Sequence, residues 1–256
     1  MKRSPVFLLL AAFLLAAPLA MARQDVTSLY EISTLDNLLA GHYDGQPPVS
    51  AMLAHGDWGI GTFHELDGEM IVLDGRVYQV RADGKIREMT DRDARVPFAL
   101  AAAFGPGQST AIAKPMTYSS LQTFLDSLRS PGRPMLFKIH GRFPALKTRS
   151  VPRQRKPYPK LSEVIAHQPV FEYQDVTGTL VGLWSPAGLK SFTGSGYHFH
   201  FISDDRKAGG HVLDLQAAQA EVFAREADRL EIALPETWPL AETAAAPAAG
   251  REIQEP

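Results

Sequence analysis

The chain has 256 residues, of which 45% are hydrophobic and 9% aromatic, with no cysteine and a formal net charge of −2. That length supports one large domain or two small ones with a substantial core, while the missing thiols exclude a disulfide framework and a thiolate metal site. The near-neutral balance gives no reason to expect nucleic acid or an anionic membrane as partner, so the expected ligand is a small molecule.

The first residues, Met1-Lys2-Arg3, are basic, and an apolar run from Val6 to Ala17 ends in Pro18-Leu19-Ala20-Met21-Ala22. The run is shorter than the ~20 residues a spanning helix wants, and the small residues after it match a peptidase site. Residues 1–22 are therefore expected to be a secretory signal cleaved after Ala22, giving an exported protein, periplasmic or extracellular, with no membrane attachment.

Beyond it, Thr27 to Ser33 reads as extended, and Thr34 to Ala40 as a short helix closed by Gly41. From Gly56 to Phe104 the pattern is strands and hairpins, with Asp67-Gly68, Asp74-Gly75 and Asp83-Gly84 between runs such as Met70-Ile71-Val72-Leu73 and Val77-Tyr78-Gln79-Val80. Ser119 to Leu128 carries apolar residues at helical spacing after a serine cap, and Pro131-Gly132 stops it. Met135 to Ile139 and Gly178 to Trp184 read as strands. The basic, proline-containing stretch Arg142 to Lys160 reads as a solvated loop, from which one arginine turned inward would bind a carboxylate in a bidentate way. Ala217 to Leu230 is expected as a helix, although Glu221-Val222-Phe223 allows a strand. Residues 235–256 form a tail rich in Ala, Pro and Glu. Periodicity thus describes a β-rich α+β chain.

The segment Gly196-Tyr197-His198-Phe199-His200-Phe201 carries most information. In a strand, His198 and His200 share one face and Phe199 and Phe201 the other. A polar loop ending in Gly209-Gly210 would return the chain so that His211 lies beside the pair. Three histidines with an open fourth position are the arrangement of a catalytic zinc. The plainer alternative is three unrelated histidines on a half-buried hairpin.

Together these segments resemble the α-acetolactate decarboxylase family. The matching residues include Gly56-Asp57-Trp58-Gly59-Ile60-Gly61-Thr62-Phe63, Leu66-Asp67-Gly68-Glu69-Met70-Ile71, Val96-Pro97-Phe98-Ala99, Arg149-Ser150-Val151-Pro152-Arg153-Gln154, Lys156-Pro157-Tyr158 and the histidine hairpin. The resemblance implies Zn2+ on His198, His200 and His211, catalytic roles for Glu69 and Arg149, and a substrate pocket that includes Thr62 and Leu66. It also implies a tail glutamate near the metal, either Glu255 or Glu252. The implied architecture, over residues 23–234, is a mixed β-sheet subdomain continuing across a homodimer and a small antiparallel barrel-like subdomain carrying the metal hairpin, divided near residues 130–150. The implied reaction, part of acetoin biosynthesis, converts 2-acetolactate to acetoin and carbon dioxide, for which a zinc with open positions would act as Lewis acid to the developing enediolate. Two other readings stand beside it, an exported mononuclear zinc hydrolase and a non-enzymatic metal- or sugar-binding β protein.

Overall fold

A computed structural model describes residues 26–235; the expected leader through Ala22 and the tail glutamates Glu252 and Glu255 lie outside the described residues. The fold is β-rich, as expected. Strands β1 (Ser28–Ile32), β2 (Trp58–Thr62), β3 (Glu69–Leu73), β4 (Arg76–Val80), β5 (Ile86–Glu88) and β6 (Phe98–Ala102) belong to a first sheet. A second holds β7 (Gln108–Ile112), β8 (Met116–Thr117), β9 (Met135–Arg149), β10 (Val170–Ser185), β11 (Gly196–Ser203), β12 (Gly209–Ala217) and β13 (Gln219–Glu226). The last strand, β14 (Arg229–Ala233), returns to the first sheet, whose order is β14-β1-β6-β2-β3-β4-β5. Helices α1 (Leu35–Leu39), α2 (Val49–Leu53), α3 (Tyr118–Asp126) and α4 (Leu161–Ile165) are short.

The first sheet is mixed because β14 runs parallel to β1 while the other pairings are antiparallel. The predicted Asp-Gly corners are where the meander turns. Gly68, Gly75 and Gly84 have φ of +83°, +74° and +79°, a region open to glycine at little cost. At Gly68 a Cβ would also lie 2.3 Å from the Val80 carbonyl oxygen.

The second sheet is antiparallel and closes on itself. The first half of β9 pairs with β13, its second half with β12, and β10 and β11 complete the ring β9-β10-β11-β12. Its interior holds Phe137, Phe143, Phe199 and Phe201, covered by Leu121 and Leu125 of α3. The two sheets then face each other through Trp58, Ile60, Ile71 and Leu100 on one side and Leu136, Val181, Leu183 and Ile202 on the other. Buried hydrogen bonds tie them, among them one from Trp58 Nε1 to the Phe137 carbonyl at 2.9 Å and one from Ser150 Oγ to the Val80 carbonyl at 2.7 Å.

Several local expectations change. Sheet membership switches between Ala102 and Gln108, ahead of the 130–150 division. The cap of α3 is Thr117, whose hydroxyl accepts from the Ser120 N–H at 3.3 Å, ahead of the expected serine, Ser119. Residues 217–230 form the end of β12 and then β13 and β14, with no helix. Their alanines serve close strand approach: Ala220 is registered against Gly141, where an added Cβ would meet the Ala220 Cβ at 2.4 Å. The basic stretch begins as strand, since β9 runs to Arg149. Its outward charges pair across the ladder, Arg142 with Asp175 and Lys147 with Glu172.

One residue is out of keeping with its place. Glu31 lies mid-β1, registered against Leu100 and Ile232, is 0% exposed, and neither carboxylate oxygen has a hydrogen-bond partner among the described residues. Burial pushes its carboxyl up to about 8 from the ordinary 4.5. The native state therefore holds a proton that the unfolded chain releases. Stability from this group is complete below about pH 4.5 and is lost as pH rises to about 8, at about 1.4 kcal/mol per unit and on the order of 5 kcal/mol in all. Urea unfolding at pH 5.5 and 8.5 should show this drop in the native sequence and its removal in Glu31→Gln; an equal drop in both proteins would contradict it.

Candidate active site

Strand periodicity and register bring the predicted residues together. His198 and His200 stand on the β11 face opposite to Phe199 and Phe201, which fill the barrel interior. The β11–β12 hairpin sets His211 directly across from His200, and barrel closure sets Arg149 of β9 directly across from His211. Neighbours in one row of a sheet point to the same side, so all four side chains face the first sheet. There β3 begins at Glu69, opposite Thr62 of β2.

The resulting cavity, of about 300 Å3, lies between the sheets and is lined by Thr62, Leu66, Glu69, Arg149 and the three histidines among others. All the predicted site residues within the described range are thus in one place. His198 Nε2 lies 3.2 Å from His200 Nε2 and 3.1 Å from His211 Nδ1. One ligand atom from each ring falls within 4.8 Å of those of the others. His200 Nδ1 donates to the Met70 carbonyl oxygen at 2.8 Å, which leaves Nε2 as the free lone pair facing its neighbours.

The rings are held neutral. Burial brings His200 down to about 3, with the Arg149 charge acting the same way against the Met70 hydrogen bond. His198 and His211 lie well below the usual range, first through burial and then through their neighbours His200 and Arg149. Three neutral imidazoles with converging nitrogens suit one divalent cation. A ring hydrogen between two of them would serve a single pair, whereas one cation accepts all three.

Glu69 is 6% exposed, overturning what its place beside an Asp-Gly turn suggests. Its Oε1 accepts from Arg149 Nη1 at 3.1 Å, and Oε2 lies 3.4 Å from His200 Nε2. Burial raises its carboxyl above the ordinary value, and the Arg149 charge offsets part of that rise. Arg149 is the inward arginine that the basic stretch left unspecified. Thr62 lines the cavity, but its hydroxyl donates to the Gly68 carbonyl at 2.7 Å and so braces the turn that presents Glu69. Leu66 contributes apolar wall.

Sequence reasoning missed the rest of the cavity. Leu35, Leu38 and Leu39 of α1, Leu161 and Ile165 of α4, and the segment 193–196 before the hairpin also line it. The spacing Leu35, Leu38, Leu39 and the pair Leu161, Ile165 is the helical signal that points to one shared apolar face.

The α-acetolactate decarboxylase sequence profile matches residues 29–244. The chain belongs to the α-acetolactate decarboxylase family. A family member from Methanosarcina mazei is 45% identical over 195 residues, covering 75% of this chain and 67% of that relative. The α-acetolactate decarboxylase of Bacillus subtilis strain 168 is 37% identical over 216 residues, 84% of each chain. A crystal structure of the B. subtilis decarboxylase superposes with a TM-score of 0.80 at 36% identity, covering 82% of this chain and 90% of that one. The two-sheet architecture is therefore that of decarboxylases solved in the crystal.

Proposed function

We propose that the protein removes carbon dioxide from 2-acetolactate and releases acetoin, with a zinc ion held by His198, His200 and His211. One observation carries the reading: a buried Glu69–Arg149 pair, contributed one residue by each sheet, stands against the histidine triad inside a single cavity. A bound zinc would supply Lewis-acid stabilisation of the charge that develops on the substrate's oxygens.

The chain's own groups account for the remaining requirements. Arg149 carries a fixed positive charge in a planar fork, suited to hold the substrate carboxylate in the cavity until it leaves. Glu69, shielded from water, keeps a proton more readily than an exposed carboxyl and is placed to give it to the carbon that loses carbon dioxide. Delivery from a fixed side chain reaches one face of that carbon. Neutral imidazoles leave the cation its full charge, which carboxylate ligands would partly offset.

Purified protein supplied with racemic 2-acetolactate is expected to form acetoin and carbon dioxide in equal amounts, and to stop when a chelator strips its metal. Ester hydrolysis in place of acetoin would support a zinc hydrolase, and metal retention without turnover a binding protein. The same reading takes the active form as a homodimer, consistent with β14 being the end strand of its sheet among the described residues, and the chain as exported to the periplasm or beyond. Light scattering that returned the mass of one chain would remove the dimer, and a product still beginning at Met1 would remove the export.

A further inference from the structure

The cavity has two kinds of wall. Its charged and imidazole groups come from strands: Glu69 from β3, Arg149 from β9 and the histidines from β11 and β12. Much of its apolar surface comes from two single-turn helices, Leu35, Leu38 and Leu39 on α1 and Leu161 and Ile165 on α4. The α1 wall is pinned in place. Leu35 and Asp36 N–H donate to the carbonyls of Phe192 and Ser191 at 2.9 and 3.1 Å, and Thr34 caps the helix through the Asn37 N–H. Leu39 is 43% exposed although it lines the cavity, so it stands where that wall meets solvent.

The substrate proposed above has a carboxylate, a hydroxyl and a ketone, each with a strand-borne or metal partner in that reading. What remains for the helical wall is alkyl. Resting on that reading, we propose that Leu39 and Ile165 are specificity-determining residues: they gauge the length of the alkyl group on the hydroxyl-bearing carbon of a 2-hydroxy-3-oxo acid. The physical basis is the steepness of discrimination in an apolar pocket, where one methylene changes kcat/KM by roughly 10- to 200-fold. Backbone bonds keep α1 itself in place, and truncating a side chain of this wall opens room without touching the strand-borne groups.

The test is kcat/KM for a series of 2-alkyl-2-hydroxy-3-oxobutanoates bearing methyl, ethyl and propyl groups. Leu39→Ala and Ile165→Ala are expected to raise the propyl-to-methyl ratio by at least about tenfold, and Leu39→Phe to lower it. A general loss of folding would depress all three substrates together and leave the ratio unchanged, and Leu39, lying at the rim, is the position least exposed to that outcome. Ratios that stay within about twofold of the native value in all three variants would overturn the gauge while leaving the decarboxylase reading in place. A metal-loaded native protein that turns over none of the series would instead overturn the reading on which the gauge rests.

Discussion

Replacing His200 by alanine is expected to abolish both metal retention and acetoin formation. Of the three rings, His200 is the most firmly oriented: it is 1% exposed, its Nδ1 is engaged by the Met70 carbonyl, and its Nε2 faces both His198 and the Glu69 carboxylate. Alanine leaves two imidazoles and a void where the third nitrogen stood. Two neutral ligands hold a divalent ion far less tightly than three, and losing even one group that stabilises developing charge costs about 10²- to 10³-fold in rate. Loss of the ion should therefore cost at least about a thousandfold. Activity within tenfold of the native rate, on a par with a peripheral change, would remove the triad from the account.

Glu69→Gln should separate metal binding from proton delivery. Glutamine keeps the shape of the side chain and an oxygen that accepts from Arg149, so the pairing across the two sheets survives. It has no acidic proton to give. The expected result is an unchanged metal content with kcat lower by about 10²- to 10⁴-fold, the usual contribution of a positioned general acid, and a KM that moves much less. A kcat within a few-fold of native would assign the proton to another group. Metal loss in the variant would show that Glu69 belongs with the ligands instead.

Much of this site is legible in the order of residues because strands have a period of two and tight turns have few solutions. His198 and His200 alternate with Phe199 and Phe201, and the short polar loop at 204–208 returns the chain into β12, where Gly209 and Gly210 already pair with Ile202 and Phe201, so the three rings follow from local rules. Arg149 does not follow from them. Its position depends on β12 pairing with the second half of β9 to close the barrel, a long-range contact that skips a residue between Val212 and Asp214. Glu69 is similarly opaque: an acidic residue after an Asp-Gly turn normally faces water, and only the second sheet packed over β3 buries it. Residues 217–230 misled for a different reason. Alanine favours a helix where nothing else decides, but here Ala220 and Ala224 fit beside the tightly packed β9, and the ladder outweighs the propensity. The resemblance to the decarboxylase family supplied Glu69 and Arg149 where periodicity did not.

The helical part of the cavity leaves only a faint mark in the sequence. Leu35, Leu38 and Leu39 carry an apolar stripe on five residues, too short to identify as a functional wall until its neighbour α4 appears beside it. Glu31 is the opposite case, a residue whose sequence surroundings, Tyr30 and Ile32, announce a buried strand while its own carboxyl argues against one. Packing prevails, and the carboxyl accommodates by keeping its proton.

The most direct test of the central claim is the metal content of the purified protein, measured beside that of His200→Ala. The account predicts one equivalent of zinc per native chain, near none in the variant, and acetoin formation proportional to bound metal. Native protein free of metal yet fully active on 2-acetolactate would contradict it.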